Sequence, residues 1–243
     1  MPMLVPNQLR VLLWLATFIG FSASFTNVYA SAVLDKVYHP YVQALEKEFE
    51  YRVIQAHKDS AVVDTLHKLG FGMALNDKWF GEVYLVADKD AGEELDVQAY
   101  EIEAKWQITE QGEYALDWGL LLELEKSHEL ANWETKVALL SAKEWGRLSG
   151  LLNVFLIQEW GSDIDNEFQA AASAQLRYRY KAIFEPAMEW HKSEYTHAVG
   201  PVFIGALKVN STNALFWNAG VLLGVDNKSP DYTVKVQLEY EFY

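Results

Sequence analysis

Glu189, His191 and Ser193 occupy alternate positions. On an extended strand alternate side chains share a face, so this spacing would gather an acid, an imidazole and a hydroxyl on one side. Those are the parts of nucleophilic acyl transfer, which needs a hydroxyl, a histidine base and an orienting acid held together in space. Ser127-His128 is a second pairing. A histidine beside a loop is the simpler account of both, so a barrel-embedded lipid hydrolase stands as the alternative reading and no catalytic residue is assigned. The run Asp88-Lys89-Asp90-Ala91-Gly92-Glu93-Glu94 spaces acids and a glycine much as a calcium loop does, but lacks a third ligand position and a closing Glu in register. Gly161 to Glu167 has the same character. Both are expected as solvated external loops, with divalent bridging to lipopolysaccharide conceivable at the first. No zinc spacing, phosphate-binding glycine loop or nucleotide motif occurs, so no cofactor or metal is expected. The chain has no Cys, which removes disulfides and thiol chemistry.

The larger chemical signal is a charged set repeating every second residue. Glu48, Glu50 and Arg52 alternate with Phe49, Tyr51 and Val53. Glu101, Glu103 and Lys105 alternate with Tyr100, Ile102 and Trp106, and Asp117, Glu123 and Glu125 with Leu116, Trp118, Leu122 and Leu124. Arg177, Arg179 and Lys181 alternate with Leu176, Tyr178 and Tyr180, and Lys235 and Glu239 with Val234, Val236, Leu238 and Tyr240. Glu185 and Glu189 complete the set. Each segment has one greasy face and one wet face. If the greasy faces meet lipid, the wet faces line a lumen. Two readings of that lumen stay open: a small-solute pore whose acidic excess favours cations, and a salt-bridged, closed interior in which charges of one sign cannot stay unpaired.

The elements that carry these residues are about twelve period-two segments. They run over Glu48–Ala56, Leu66–Leu75, Trp79–Ala87, Val97–Thr109, Tyr114–Lys126 and Trp133–Lys143. Leu148–Trp160, Phe168–Lys181, Phe184–Lys192, His197–Val209, Leu215–Val225 and Tyr232–Tyr243 follow. In hydrocarbon a sheet has no water for its edge groups and must close on itself. The expected fold is therefore all-β, a closed antiparallel transmembrane β-barrel of about 12 strands. Connections are expected to alternate in length, with Asn76-Asp77-Lys78, Glu110-Gln111-Gly112 and Asn210 to Asn213 tight on one side. Asp88 to Asp96, Gly161 to Asn166 and Asp226 to Asp231 would be the long outward loops. Trp79, Trp106, Trp118, Trp133, Trp160, Trp190 and Trp217 fit the two membrane interfaces, where an amphipathic ring is half wet. Core aromatics of a soluble, ligand-binding β-sandwich are the alternative.

The ends of the chain point the same way. Met1 to Ala30 holds one Arg and no acid, then an apolar run from Val11 to about Phe25, then Val28 and Ala30 ahead of Ser31. That order describes a secretory signal peptide, and the run is shorter than the roughly 20 residues of a spanning helix. The expected organisation is a signal peptide over 1–30, a periplasmic lead-in or plug over 31–46 and an outer-membrane barrel over 47–243. A formal charge of −14 argues against nucleic acid, which needs clustered Lys and Arg. At the C-terminus Tyr240, Phe242 and Tyr243 form the expected assembly signal, with Phe242 in phase with the greasy face and Tyr243 one residue beyond it.

Several short motifs resemble one group of proteins. They are His197-Ala198-Val199-Gly200-Pro201, Gly205, Gly220 to Gly224, Ser229-Pro230-Asp231 and Leu238 to Phe242. Tyr38-His39-Pro40-Tyr41-Val42 with Glu48 to Arg52, and Tyr178-Arg179-Tyr180 with Phe184-Glu185-Pro186, are similar to the same group. It comprises transporter-like proteobacterial outer-membrane β-barrels, distantly akin to the porin-like proteins encoded beside phenol-degradation pathways. The resemblance implies barrel and location, and carries over no substrate and no catalytic residue. The expected function is a narrow passive channel for small solutes, or else a closed structural barrel. Its partners would be outer-membrane lipid with lipopolysaccharide and the barrel-assembly machinery, and its state a monomer.

Overall fold

A computed structural model describes residues 35–59, 61–89 and 95–243. The signal-peptide reading of 1–30 and most of the calcium-like run at 88–94 fall outside those residues. Twelve strands account for nearly everything described: β1 Lys47–Lys58, β2 Ala61–Ala74, β3 Trp79–Asp88, β4 Asp96–Gln107, β5 Asp117–Ser127 and β6 Asn132–Trp145. β7 Leu148–Gly161, β8 Glu167–Tyr178, β9 Glu185–Lys192, β10 His197–Lys208, β11 Ala214–Gly224 and β12 Tyr232–Phe242 complete the set. Each pairs with its neighbours in sequence, and β12 returns to β1, so the sheet closes as a barrel. The seam is antiparallel from Lys47↔Phe242 to His57↔Tyr232. No helix occurs among the described residues. The expected fold is the observed one.

Alternation sets the two faces. On β12, Val236 and Leu238 are each 42% exposed, while Thr233, Lys235 and Gln237 on the alternate positions are 1%, 3% and 8% exposed. The pattern recurs around the wall: Phe49, Leu69, Val83, Ile102, Leu156 and Met188 face out, and Glu50, Lys68, Glu103 and Glu189 face in. The barrel is thus inside-out relative to a soluble protein. A continuous apolar belt far exceeds the few hundred Å² that a water-soluble monomer tolerates as a patch. Hydrocarbon removes that penalty.

Aromatic pairs edge the belt on both sides. At the end that holds the start of β1 and the C-terminus, Phe49 stacks on Phe242 at 5.8 Å, Trp79 on Trp106 at 5.6 Å and Phe184 on Phe203 at 5.3 Å. At the other end lie Trp133–Trp160 at 5.8 Å, Tyr100–His128 at 5.8 Å and His57–Tyr232 at 4.3 Å. From Tyr240 to Tyr232 a strand runs about 26 Å at ~3.3 Å per residue. A tilt of ~40° leaves about 20 Å of apolar height, which suits an outer-membrane span.

The expected alternation of connection lengths is absent. The side that carries the start of β1 and the C-terminus has connections 75–78, 108–116, 146–147, 179–184 and 209–213. The opposite side has 59–60, 89–95, 128–131, 162–166, 193–196 and 225–231. The longest, 108–116, is on the side expected to be tight. Gly112 turns there in the left-handed region (φ 77°) and donates its N–H to Asp117 Oδ1 at 2.8 Å. This fold-back takes Tyr114 and Leu116 out of the ladder although their spacing continues it. Composition separates the two ends better: Asp59, Glu129, Asp163, Asp165, Glu194, Asp226 and Asp231 all lie in connections of the side away from the C-terminus.

Candidate functional site

Strand register decides which charges meet inside. Glu48, Glu50 and Arg52 on β1, Glu101 and Glu103 on β4, Asp117 and Glu123 on β5, Glu189 on β9 and Lys235 on β12 are all buried on the inner face. Lys105, Glu125, Arg177, Glu185 and Glu239 share that face and are half-buried. Arg179 and Lys181 do not line the lumen. β8 leaves the ladder after Tyr178, and an isolated Lys181↔Phe184 bridge turns the chain. Arg179 then reaches Glu144 at 2.6 Å at the rim, and the Lys181 ammonium lies 5.3 Å from the Tyr180 ring.

The inner charges form three knots. In the first, Arg52 pairs with Glu50 through Nε and with Asp35 through Nη1 at 2.5 Å, and its Nη2 donates to Tyr84 OH at 2.8 Å. Lys68 bridges Asp35 at 3.0 Å and Glu101 at 2.8 Å. In the second, Lys136 joins Glu123, and Glu134 at 3.0 Å. In the third, Glu189 accepts from Lys235 at 2.7 Å and from Gln175 at 2.9 Å, with His191 Nε2 at 3.1 Å. Each cation is matched by carboxylates, as buried ions require. Three carboxylate groupings have oxygens within 4.8 Å of one another: Glu46-Glu48-Glu241, Glu48-Glu50-Glu239 and Glu101-Glu123-Glu125. Cations of the chain sit among the last two (Lys36 on Glu50 and Glu239, Lys68 on Glu101, Lys136 on Glu123), and carboxylates alone do not define a metal centre.

Of the alternating Glu189, His191 and Ser193, the pairing seen is Glu189–His191. Ser193 Oγ accepts the Thr196 N–H at 3.0 Å in the β9–β10 turn. Ser127 and His128 diverge: Ser127 pairs with inward Ala99, and the His128 ring lies edge-on to outward Tyr100.

Residues 35–46 enter the lumen and cross it. Tyr38 packs against Leu121, Leu140, Phe155 and Ile157 on the inner wall, and its hydroxyl donates to Glu103 Oε1 at 2.7 Å. Lys36 Nζ reaches Glu50 at 2.6 Å and Glu239 at 3.6 Å. Tyr41 OH donates to Asp117 Oδ2 at 2.7 Å. Pro40 lies against Gly119, where a Cβ would sit 2.8 Å from Pro40 Cβ. The cavity between Asp35, Lys36, Tyr38, Glu123, Lys136, Phe155 and Ile157 measures about 10 Å³, room for about one water. Burial pushes the Asp35 carboxyl up, but Arg52 and Lys68 together outweigh it and hold the group well below the usual carboxylate range. Lys68, Tyr84, Asn153 and Asp35 escaped the sequence reading. On β2 the inner face of Lys68 is continued by Gly70 and Gly72, over which the Tyr84 and Phe80 rings lie, so no alternating charge marked it.

No family model matches the sequence, and no curated protein matches it. Solved structures do. An outer-membrane channel from Pseudomonas putida F1 superposes with a TM-score of 0.55 at 12% identity, covering 86% of this chain and 98% of its own. The KdgM porin in complex with disordered oligogalacturonate gives 0.52 at 8% identity, covering 81% and 98%. The translocator domain of the autotransporter NalP from Neisseria meningitidis gives 0.51 at 10% identity, covering 88% and 93%. At such identities the likeness is one of architecture. It defines the class as a closed, twelve-stranded antiparallel β-barrel of the kind found in outer-membrane proteins. The resemblance read from the short motifs is supported at the level of that fold.

Proposed function

We propose that this chain is a bacterial outer-membrane channel for small solutes, closed in this structure by its own residues 35–46. The observation that carries the reading is what fills the lumen. Twelve strands ~4.8 Å apart and tilted ~40° enclose a backbone circle about 24 Å across, whereas about eight strands make an interior that wall side chains just fill. Here a segment that is not part of the wall crosses that space, and the cavity beside its Asp35, Lys36 and Tyr38 measures about 10 Å³. Withdrawal of that segment would uncover a passage lined by carboxylates in excess of Lys and Arg, which favours cations. The apolar belt and its aromatic edges support insertion in lipid, and the acidic connections support divalent-bridged contact with lipopolysaccharide. Export by a signal peptide over 1–30, assembly through Tyr240, Phe242 and Tyr243 by the barrel-assembly machinery, and a monomeric state complete the proposal.

Planar-bilayer recording tests it. The intact chain should give few or no conductance steps, and Gly119→Val, which crowds Pro40, should give frequent small cation-selective ones. Silence from both would leave a closed structural barrel.

A further inference from the structure

We propose that the lumen is a binding site for an extended peptide, with residues 35–46 as its resident, exchangeable ligand. The proposal rests on the barrel reading and not on conduction. The segment is held the way a receptor holds a peptide. Its recorded backbone–backbone hydrogen bonds are a turn within itself, Glu46 N–H to Gln43 C=O at 3.3 Å, and one at the start of β1, Ala74 N–H to Glu46 C=O at 2.8 Å. Deeper in, wall side chains read its backbone instead. The fully buried Asn153 accepts the Tyr38 N–H on Oδ1 at 2.8 Å and donates Nδ2 to the Tyr38 C=O at 2.9 Å. Gln107 Oε1 accepts the Val42 N–H at 2.7 Å. Such amides supply what a neighbouring strand would supply, and pockets for the flanking side chains then select the sequence.

The selection has a direction. An acid meets Arg52 and Lys68, the next residue, a base, meets Glu50, and two tyrosine hydroxyls meet Glu103 and Asp117 further along. A reversed segment would set Asp35 among carboxylates. The tether is a turn at Leu45, 77% exposed and in the left-handed region (φ 68°), which marks where the segment parts from the wall. The ligand class is therefore an extended peptide of the order acid, base, apolar, aromatic, aromatic. The occupant to which the site is matched is a copy of this chain's own segment.

The test uses the full chain with a protease site inserted at Leu45, folded in detergent, cut, and challenged with a labelled synthetic peptide of residues 35–46. The cut barrel should take up about one peptide per molecule, saturably, while the uncut barrel takes up none. Asn153→Ala in the cut barrel should weaken uptake about tenfold or more, and a peptide of reversed order should not compete. A cut barrel that keeps its fragment and admits no peptide, or one that binds the reversed peptide equally well, would overturn the proposal. Should the insertion prevent folding, limited proteolysis of the intact chain decides. Asn153→Ala must then render 35–46 cleavable where the native chain protects it, and unchanged protection sinks the idea. A barrel that exchanges peptide yet conducts nothing would remove the channel proposal and leave this one standing.

Discussion

Glu189 on β9 accepts a hydrogen bond from Lys235 on β12 at 2.7 Å, across the full width of β10 and β11. The two intervening strands present glycine on that face beside the pair: Gly200 stands opposite Glu189, and Gly220 opposite Lys235. Val202 and Leu222, fully buried, form the floor around it. The ion pair is a strut spanning four strands of the closing wall.

Breaking the strut should weaken the barrel sharply. Lys235→Met leaves Glu189 buried with His191 and Gln175 but without its ammonium partner. Loss of one partner of a buried pair costs about 3–5 kcal/mol. The double variant Lys235→Met, Glu189→Leu should recover a good part of that. Urea unfolding from lipid vesicles measures both, and equal stability of the single variant and the native chain would contradict the assignment.

How much of this was legible beforehand follows the physics of alternation. Two-residue periodicity marks faces, so β12 and β4 were readable almost to the residue, and closure followed from chemistry at the edges. Alternation has no sense of where hydrogen bonding stops. Arg179 and Lys181 kept the rhythm past the end of β8, and Tyr114 and Leu116 kept it before β5 begins. Registers are non-local, so the Glu189–Lys235 strut was out of reach. So was Lys68, which is followed on its inner face by Gly70 and Gly72 and preceded by Leu66. Residues 35–46 form no regular element; their aromatic content hinted at a plug, but their partners on seven strands could only come from coordinates.

A second prediction concerns Gly119. A Cβ there sits 2.8 Å from Pro40 and 3.1 Å from the Trp106 carbonyl oxygen of β4, so Gly119→Val should dislodge 35–46 at a smaller cost to the wall. Protease should then cut the segment while the barrel keeps its heat-sensitive gel mobility. Continued protection would mean that the segment accommodates the methyl groups in place.

Acid should leave the segment docked. The folded Asp35 carboxyl lies below its unfolded value, so its contribution is present above the ordinary carboxylate pKa of about 3.9 and is lost progressively as pH falls from there toward the depressed value. Protection of 35–46 from protease should be equal at pH 7 and pH 5, and weakened at both by Asp35→Asn. Release of the native segment at pH 5 would show that Asp35 is not its anchor.

The outer face carries the most stringent chemical demand. Ile102, 60% exposed in mid-belt, becomes a charge in hydrocarbon as Ile102→Arg, at about 2–4 kcal/mol. The same change at a water-exposed surface would be nearly neutral. Folding yield into lipid vesicles should fall for Ile102→Arg and hold for Ile102→Leu.

The most direct check on the whole account is fractionation of the expressed chain, followed by electrophoresis before and after boiling. A barrel whose apolar belt faces lipid stays with the outer membrane, needs detergent for extraction, and changes mobility on boiling as the closed sheet opens. Release into buffer without detergent, with identical mobility in both lanes, would contradict it.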